Sequence, residues 1–389
     1  MNEEKEAKKK KALKINLLVI AVVLIIGTIL FIERPFEKQS DLIPRQGKIL
    51  ITDNGVEQDT SNYPSAPEFA GISHWINSEP LKISDLRGKV VIVDFWTYSC
   101  INCIRTLPYI KDWYDKYHDD GLVIIGVHTP EFNFEKEVNN VEDAVKKFGI
   151  KYPVAMDNNY GTWDAYGNKW WPHKYIIDKN GRIKYDHIGE GNYAQTESVI
   201  VGLLKEINSS VEKAKSNVSG EGQSDLKTIF QTPELYAGYS FARIDIGNSE
   251  GYSPNKIMEY AMPESIMANR IYAQGKWKNN EDNLQHSENS SGEIILKYTA
   301  KSVNIVAGSA GYSQNENTRI DVTLDGDYLT AENAGSDVVI DNETGESYVN
   351  VGENRLYNLV GNQAGFSSHE IRISSDDSNF MLYTFTFGN

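Results

Sequence analysis

Cysteine is nearly absent from this chain. Its 389 residues hold two, Cys100 and Cys103, within Trp96-Thr97-Tyr98-Ser99-Cys100-Ile101-Asn102-Cys103. A small disulfide-held scaffold needs several pairs. A structural zinc site needs about four ligands, and neither His118 nor His128 stands at a finger-like spacing from a partner histidine. No metal and no cofactor are expected. A static cross-link is disfavoured too, because a two-residue loop removes little entropy from the unfolded chain. No glycine-rich fingerprint opens a helix, which excludes a phosphate loop. Positive charge is short as well: the net charge is −15. Such an acidic chain is not expected to bind nucleic acid or to dock on anionic lipid. Disulfide exchange is the chemistry left for an isolated Cys-x-x-Cys.

One long apolar run stands out, Ile15 to Ile32, broken only by Asn16, Gly27 and Thr28. At about 1.5 Å per residue it spans about 27 Å, near the lower limit for a hydrocarbon core. Residues 1–14 carry six Lys against three Glu, and such a head stays in the cytoplasm. A cleaved signal peptide is the rival reading, but the run is long for one and no small-x-small site follows it. The expected layout is a basic head at 1–14, an anchor at 15–32, a tether at 33–65, a first folded unit at 66–208, a linker at 209–228 and a second unit at 229–389. The folded units are then extracytoplasmic.

In the first unit, Val90-Val91-Ile92-Val93-Asp94-Phe95-Trp96 reads as a buried central strand. Gly121 to Val127 is a second strand. Between them Cys103 to His118 carries apolar residues at 104, 107, 110, 113, 114 and 117, a helix period. Strand, helix, strand in this order is a parallel crossover. Val138 to Phe148 reads as a helix, with Pro108 a kink in the earlier one. Strands are expected at 174–178 and 183–188, joined at Asn180-Gly181. The cysteines therefore lie where a strand ends and a helix begins. The helix end stabilises a thiolate, so Cys100 is the expected nucleophile and Cys103 the resolving thiol. Asp94 is either a proton carrier for Cys103 or a strand-end acid bonded to backbone. Glu131 and His128, after the second strand, either tune the thiols or serve the loop. Trp96, Trp170 and Trp171 wall the site or pack.

Residues 66–207 resemble the thioredoxin fold in its TlpA-like branch. The resemblance rests on Asp94-Phe95-Trp96, on the Cys-x-x-Cys, on Pro108, and on Trp171-Pro172 before Tyr175-Ile176-Ile177-Asp178. It implies a cis bond before Pro172, a client seated beside Pro172, Trp171 and Trp96, and Asp94 as buried proton carrier. The match is closest to the thioredoxin-like part of DipZ proteins, through Asp94 to Tyr109 and Gly126-Val127-His128-Thr129-Pro130-Glu131-Phe132. Those proteins add a CcdA-like electron-carrying membrane domain. A chain with one span needs a separate CcdA-type donor.

From Ile229 onward short strands alternate with Gly, Asn and Ser turns, as in an all-β sandwich of jelly-roll type. Examples are Glu293–Ala300, Val303–Ala307, Arg319–Leu324, Arg355–Val360 and Phe380–Phe387, with Asp325-Gly326 at a tight turn. This part resembles the C-terminal module of DipZ proteins, which is similar to carbohydrate-binding sandwiches. Tyr236, Tyr239 and Trp277 either stack on a sugar or pack in the core. The expected function is an anchored thiol–disulfide oxidoreductase that reduces disulfide-containing extracytoplasmic client proteins. The alternatives are a thiol peroxidase, and an anchored glycan- or protein-binding protein with an idle disulfide.

Overall fold

The structure is a computed structural model that describes residues 49–52, 55–58, 63–215, 218, 231–288, 290–312, 316–361 and 365–388. The expected head, anchor and most of the tether lie outside these residues, as does most of the linker. Among the described residues no helix is long and apolar enough to cross a membrane. Residues 1–64 form one unit and residues 65–389 another. In the first, β1 (Ile49–Thr52) pairs antiparallel with β2 (Gly55–Gln58).

The second unit begins with a six-stranded sheet. Its strands are β3 (His74–Ile76), β4 (Val90–Trp96), β5 (Leu122–His128), β6 (Val154–Met156), β7 (His173–Ile177) and β8 (Ile183–Ile188), in the order β3-β6-β5-β4-β7-β8. The helices are α1 (Ile101–Tyr117), α2 (Val138–Phe148), α3 (Gly161–Ala165) and α4 (Tyr193–Lys205). The β-branched run forms β4, buried at every position. It runs parallel to β5 through α1, the expected crossover. Pro108 sits inside α1, which continues to Tyr117. The sequence pattern did not reveal β3, β6, α3 or α4. The two strands are three residues long, too short to display a period.

Alternation along β4 decides what meets the dithiol. Val90, Ile92 and Trp96 join a core that includes Cys103, Leu107 and Ile110 of α1. Val91, Val93 and Phe95 join a separate core on the opposite face. Asp94 shares the α1 face by parity.

In the C-terminal region the thirteen strands among the described residues all pair antiparallel with one another, and a single isolated bridge, Ala268 with Lys297, is parallel. Ile271–Asn279 belongs to two arms. One runs through Leu284–His286, Phe380–Gly388, Ser302–Ser309 and Arg355–Val360. The other runs through Gly292–Ala300, Ser367–Ser375, Thr318–Leu324 and Ser347–Val351. Ile294 and Leu296 of one arm share a core with Ile305 and Phe385 of the other. Asp325 and Gly326 both have positive φ, 54° and 93°, as a two-residue hairpin turn requires.

This region packs on the redox region. Phe132 and Phe134 meet Tyr383 at ring distances of 5.3 and 4.8 Å. The N–H of Asn133 donates to Asp282 at 3.1 Å. At the other edge Val211 is buried and the Ala214 N–H donates to the Tyr117 hydroxyl, so the chain still packs on the redox region as far as these residues.

Candidate active site

Cys100 caps α1. Its backbone is extended (φ −74°, ψ 114°), and its Sγ accepts from the Cys103 N–H at 3.2 Å. Both cysteines are free thiols. Cys100 is half-buried, while Cys103 is 1 % exposed. This asymmetry follows from the helix: one turn in, a side chain points down onto the sheet. The expected stabilisation of the Cys100 thiolate is outweighed. Burial pushes its thiol above the ordinary range, the hydrogen bond from Cys103 pulls it back, and the Glu131 and Glu234 carboxylates add to the rise. Burial holds the Cys103 thiol well above its ordinary range.

Beneath Cys103, Asp94 is 1 % exposed. Burial pushes its carboxyl up to about 7, against the pull of the Lys174 ammonium. Strand register explains the neighbour: Lys174 of β7 pairs with Asp94 of β4. Lys174 is fully buried, and its Nζ donates to Gly189 O at 3.1 Å. Burial lowers its proton affinity, and Asp94 raises it. On the other side Asp94 pairs with Gly126 of β5. A Cβ at Gly126 would come within 2.8 Å of Trp96 Nε1 and 3.2 Å of a Tyr152 ring carbon. Glycine there leaves room for both rings beside the acid. Asp94 Oδ1, Trp96 Nε1 and the Tyr152 hydroxyl are buried without a hydrogen-bond partner among the described residues.

The loop after β5 supplies a second acid group. Glu135 is fully buried. Its Oε1 accepts from Ser99 Oγ at 2.6 Å, and its Oε2 accepts from the N–H groups of Glu131 and Phe132 at 2.6 and 3.0 Å. One carboxylate thus ties the residue before Cys100 to the backbone of Glu131. The Tyr236 hydroxyl, from the C-terminal region, donates to Glu131 Oε1 at 2.5 Å. Burial and the nearby Glu234 hold the Glu131 carboxyl well above the usual range, against the Tyr236 hydrogen bond. The sequence does not single out Lys174 or Glu135, and it points to Tyr236 only as a sugar-stacking or core residue, not as part of the redox site. A lysine leading into the apolar run Tyr175-Ile176-Ile177 is the one available signal.

His128 is fully buried between Trp96 and Tyr98, with Thr97 Oγ1 at 3.3 Å from its Nε2. Burial pushes it down to about 3, so it packs as a neutral ring. Trp96 is fully buried. The expectation that it touches a client is corrected by its even position on β4, which turns it under α1. Trp171 is half-buried, its Nε1 donating to Thr129 O at 3.1 Å, and the bond before Pro172 is cis. Pro172 leads into β7, whose His173 pairs with Phe95, so it lies at the same sheet end as the dithiol. Trp170 beside it is 48 % exposed. A cleft of about 550 Å3 opens along α1, lined by Tyr98, Ile101 and Arg105 on one side and by Asn304, Asn354 and Arg355 on the other.

Residues 64–204 match the family described as Redoxin, and residues 232–388 match the one described as Thioredoxin like C-terminal domain. Protein DipZ of Mycobacterium tuberculosis is 38 % identical over 250 residues, 64 % of this chain and 35 % of its own. The chain thus spans about a third of the length of the curated DipZ relatives it matches. Thiol-disulfide oxidoreductase ResA of Bacillus anthracis is 32 % identical over 142 residues, 36 % of this chain and 76 % of that relative. A solved thiol-disulfide isomerase from Corynebacterium glutamicum overlaps 36 % of this chain and 96 % of its own at 25 % identity and TM-score 0.33.

Proposed function

This chain belongs to the thioredoxin-like thiol–disulfide oxidoreductases, and within that family we propose that it is a membrane-anchored reductant of disulfides in extracytoplasmic client proteins. The observation that carries the reading is the difference between the thiols: Cys100 only half-buried at the helix cap, Cys103 sealed above Asp94.

The Cys100 thiolate attacks one sulfur of the client disulfide. The client S–S bond breaks, a Cys100–client bond forms, and the displaced client thiolate takes a proton. Asp94 then accepts the Cys103 proton, and the Cys103 thiolate attacks Cys100 Sγ. The mixed bond breaks, the second client thiolate leaves, and two electrons have passed to the client. The product is a Cys100–Cys103 disulfide, which a separate dithiol donor of CcdA type reduces on the outer face of the membrane. Lys174 beneath the site holds Asp94 low enough to ionise near neutral pH.

A reducing role also fits the direction of the Cys100 proton affinity. Strongly oxidising pairs owe their potential to a stabilised thiolate. Here burial and two carboxylates oppose the thiolate. The exposed Trp170 and the cleft beside Ile101 offer the client chain apolar and polar contacts on either side of the dithiol. The C-terminal region, read as a jelly-roll-type sandwich, serves as a docking wall. Trp277 is buried in its core and Tyr236 in the core that holds Cys103, at 0 % and 7 % exposure, so neither offers an open face for stacking on a sugar.

The test is turnover of a protein disulfide by the full chain in detergent with dithiothreitol. Cys100→Ala abolishes it. Undiminished turnover by that variant sinks the reading, and Cys100-dependent consumption of hydrogen peroxide instead identifies a peroxidase.

A further inference from the structure

The C-terminal region reaches into the redox site. Leu235–Tyr236 pairs with Thr384 and Phe385, and from this short strand the Tyr236 ring joins the core that holds Cys103. Phe132 lies 6.3 Å from that ring, and Phe241 lies 6.0 Å from it. Arg243 sits over it at 5.9 Å. The hydroxyl ends on Glu131. Glu131 is in turn fastened through its own N–H to Glu135, whose other oxygen holds Ser99 beside Cys100.

We propose that Tyr236 is a positioning residue of the redox site, holding the Glu131 carboxylate beside Cys100 so that the C-terminal region governs how readily the attacking thiol loses its proton. The proposal deepens the oxidoreductase reading and rests on it. A phenol that donates to a carboxylate favours its charged form. A charged carboxylate near Sγ opposes the thiolate, so the hydroxyl keeps the dithiol reducing. Cys100 faces Cys103, Glu131 and Glu234, and it interacts with Lys174. Glu131 faces Glu234, Glu135 and Arg243 besides Tyr236. Removing the Tyr236 hydroxyl lowers the charge on Glu131, and Glu234, which also faces that hydroxyl, changes in the same sense.

The experiment uses the full chain with Cys103→Ser, which leaves Cys100 as its only thiol. Iodoacetamide alkylation is timed across pH, with thermal unfolding as a check on folding. Tyr236→Phe moves the midpoint of the profile down by about half to one unit, a three- to tenfold faster reaction below the midpoint. Glu131→Gln moves it the same way. In the Glu131→Gln background the Tyr236→Phe shift falls below half its size. An unmoved midpoint in either single variant overturns the proposal, and so does a Tyr236→Phe shift of full size in the Glu131→Gln background. Alkylation needs no client, so its outcome is separate from the turnover test of Cys100→Ala.

Discussion

Two acid neighbourhoods flank the dithiol, and they are built differently. The inner one, Asp94 with Lys174 below Cys103, comes wholly from the redox sheet and is placed by strand register. The outer one, Glu131 with Glu135 and Tyr236 beside Cys100, is assembled from a loop and a second region of the chain. The inner pair lies below Cys103 and is buried. The outer group lies beside Cys100 and includes a residue of the C-terminal region. The inner acid is thus fixed within one sheet, while the outer one depends on how the C-terminal region packs on the redox region.

The largest effect separating the two neighbourhoods is expected from Asp94→Asn. Release of the mixed disulfide slows by about a hundredfold in single-turnover assays, while Cys100 alkylation is little changed. Equal losses in both steps would erase the distinction. The same variant has a stability signature. The folded Asp94 titrates near 7, above its ordinary 3.8. The fold therefore binds a proton that the unfolded chain releases between these values. Asp94 leaves stability unaffected below about 3.8 and lowers it as pH rises through about 7. Asp94→Asn raises the melting temperature at pH 8 and leaves it unchanged at pH 3. The gain is at most about 4 kcal/mol for a shift of this size. A gain that is the same at both pH values refutes the assignment.

Lys174→Met is next in size. Without the ammonium, Asp94 ionises later, and the pH at which resolution switches on moves up by about one unit. At pH 7 that is about a tenfold slower release, measured by quenching the mixed disulfide with acid. A downward shift refutes the role given to Lys174, because losing the ammonium raises the proton affinity of both Asp94 and Cys103.

The smallest change is Lys147→Ala, which removes a 3.0 Å pair with Glu353 between α2 and the C-terminal region. Both side chains are largely exposed, so it costs less than about 1 kcal/mol in denaturant unfolding. The Cys100 alkylation profile stays in place. If it moves, the C-terminal region acts through its general charge and not through Tyr236.

The inner neighbourhood is half legible in the amino-acid sequence. Asp94 stood out as a carboxylate in an apolar run, but Lys174 was read only as the first residue of a strand. Its meaning depends on which position of β4 it faces, and pairing between strands 80 residues apart leaves no local trace. Trp96 shows the reverse error. Its motif suggested a client contact, and the parity of β4 buries it. In the C-terminal region several strands were legible from their alternation. Ile271–Asn279, shared by both arms, and Ser367–Ser375 were not.

The amino-acid order alone determined a dithiol at a strand-to-helix junction, because a β-branched run, a helix period and two cysteines three positions apart are all local patterns. Which charges surround each sulfur was decided only by the tertiary structure. Lys174 reaches Asp94 through sheet register, and Tyr236 reaches Glu131 across 105 residues through docking of two cores. Contacts of that range arise from the packing of the whole chain, so no segment read by itself contains them.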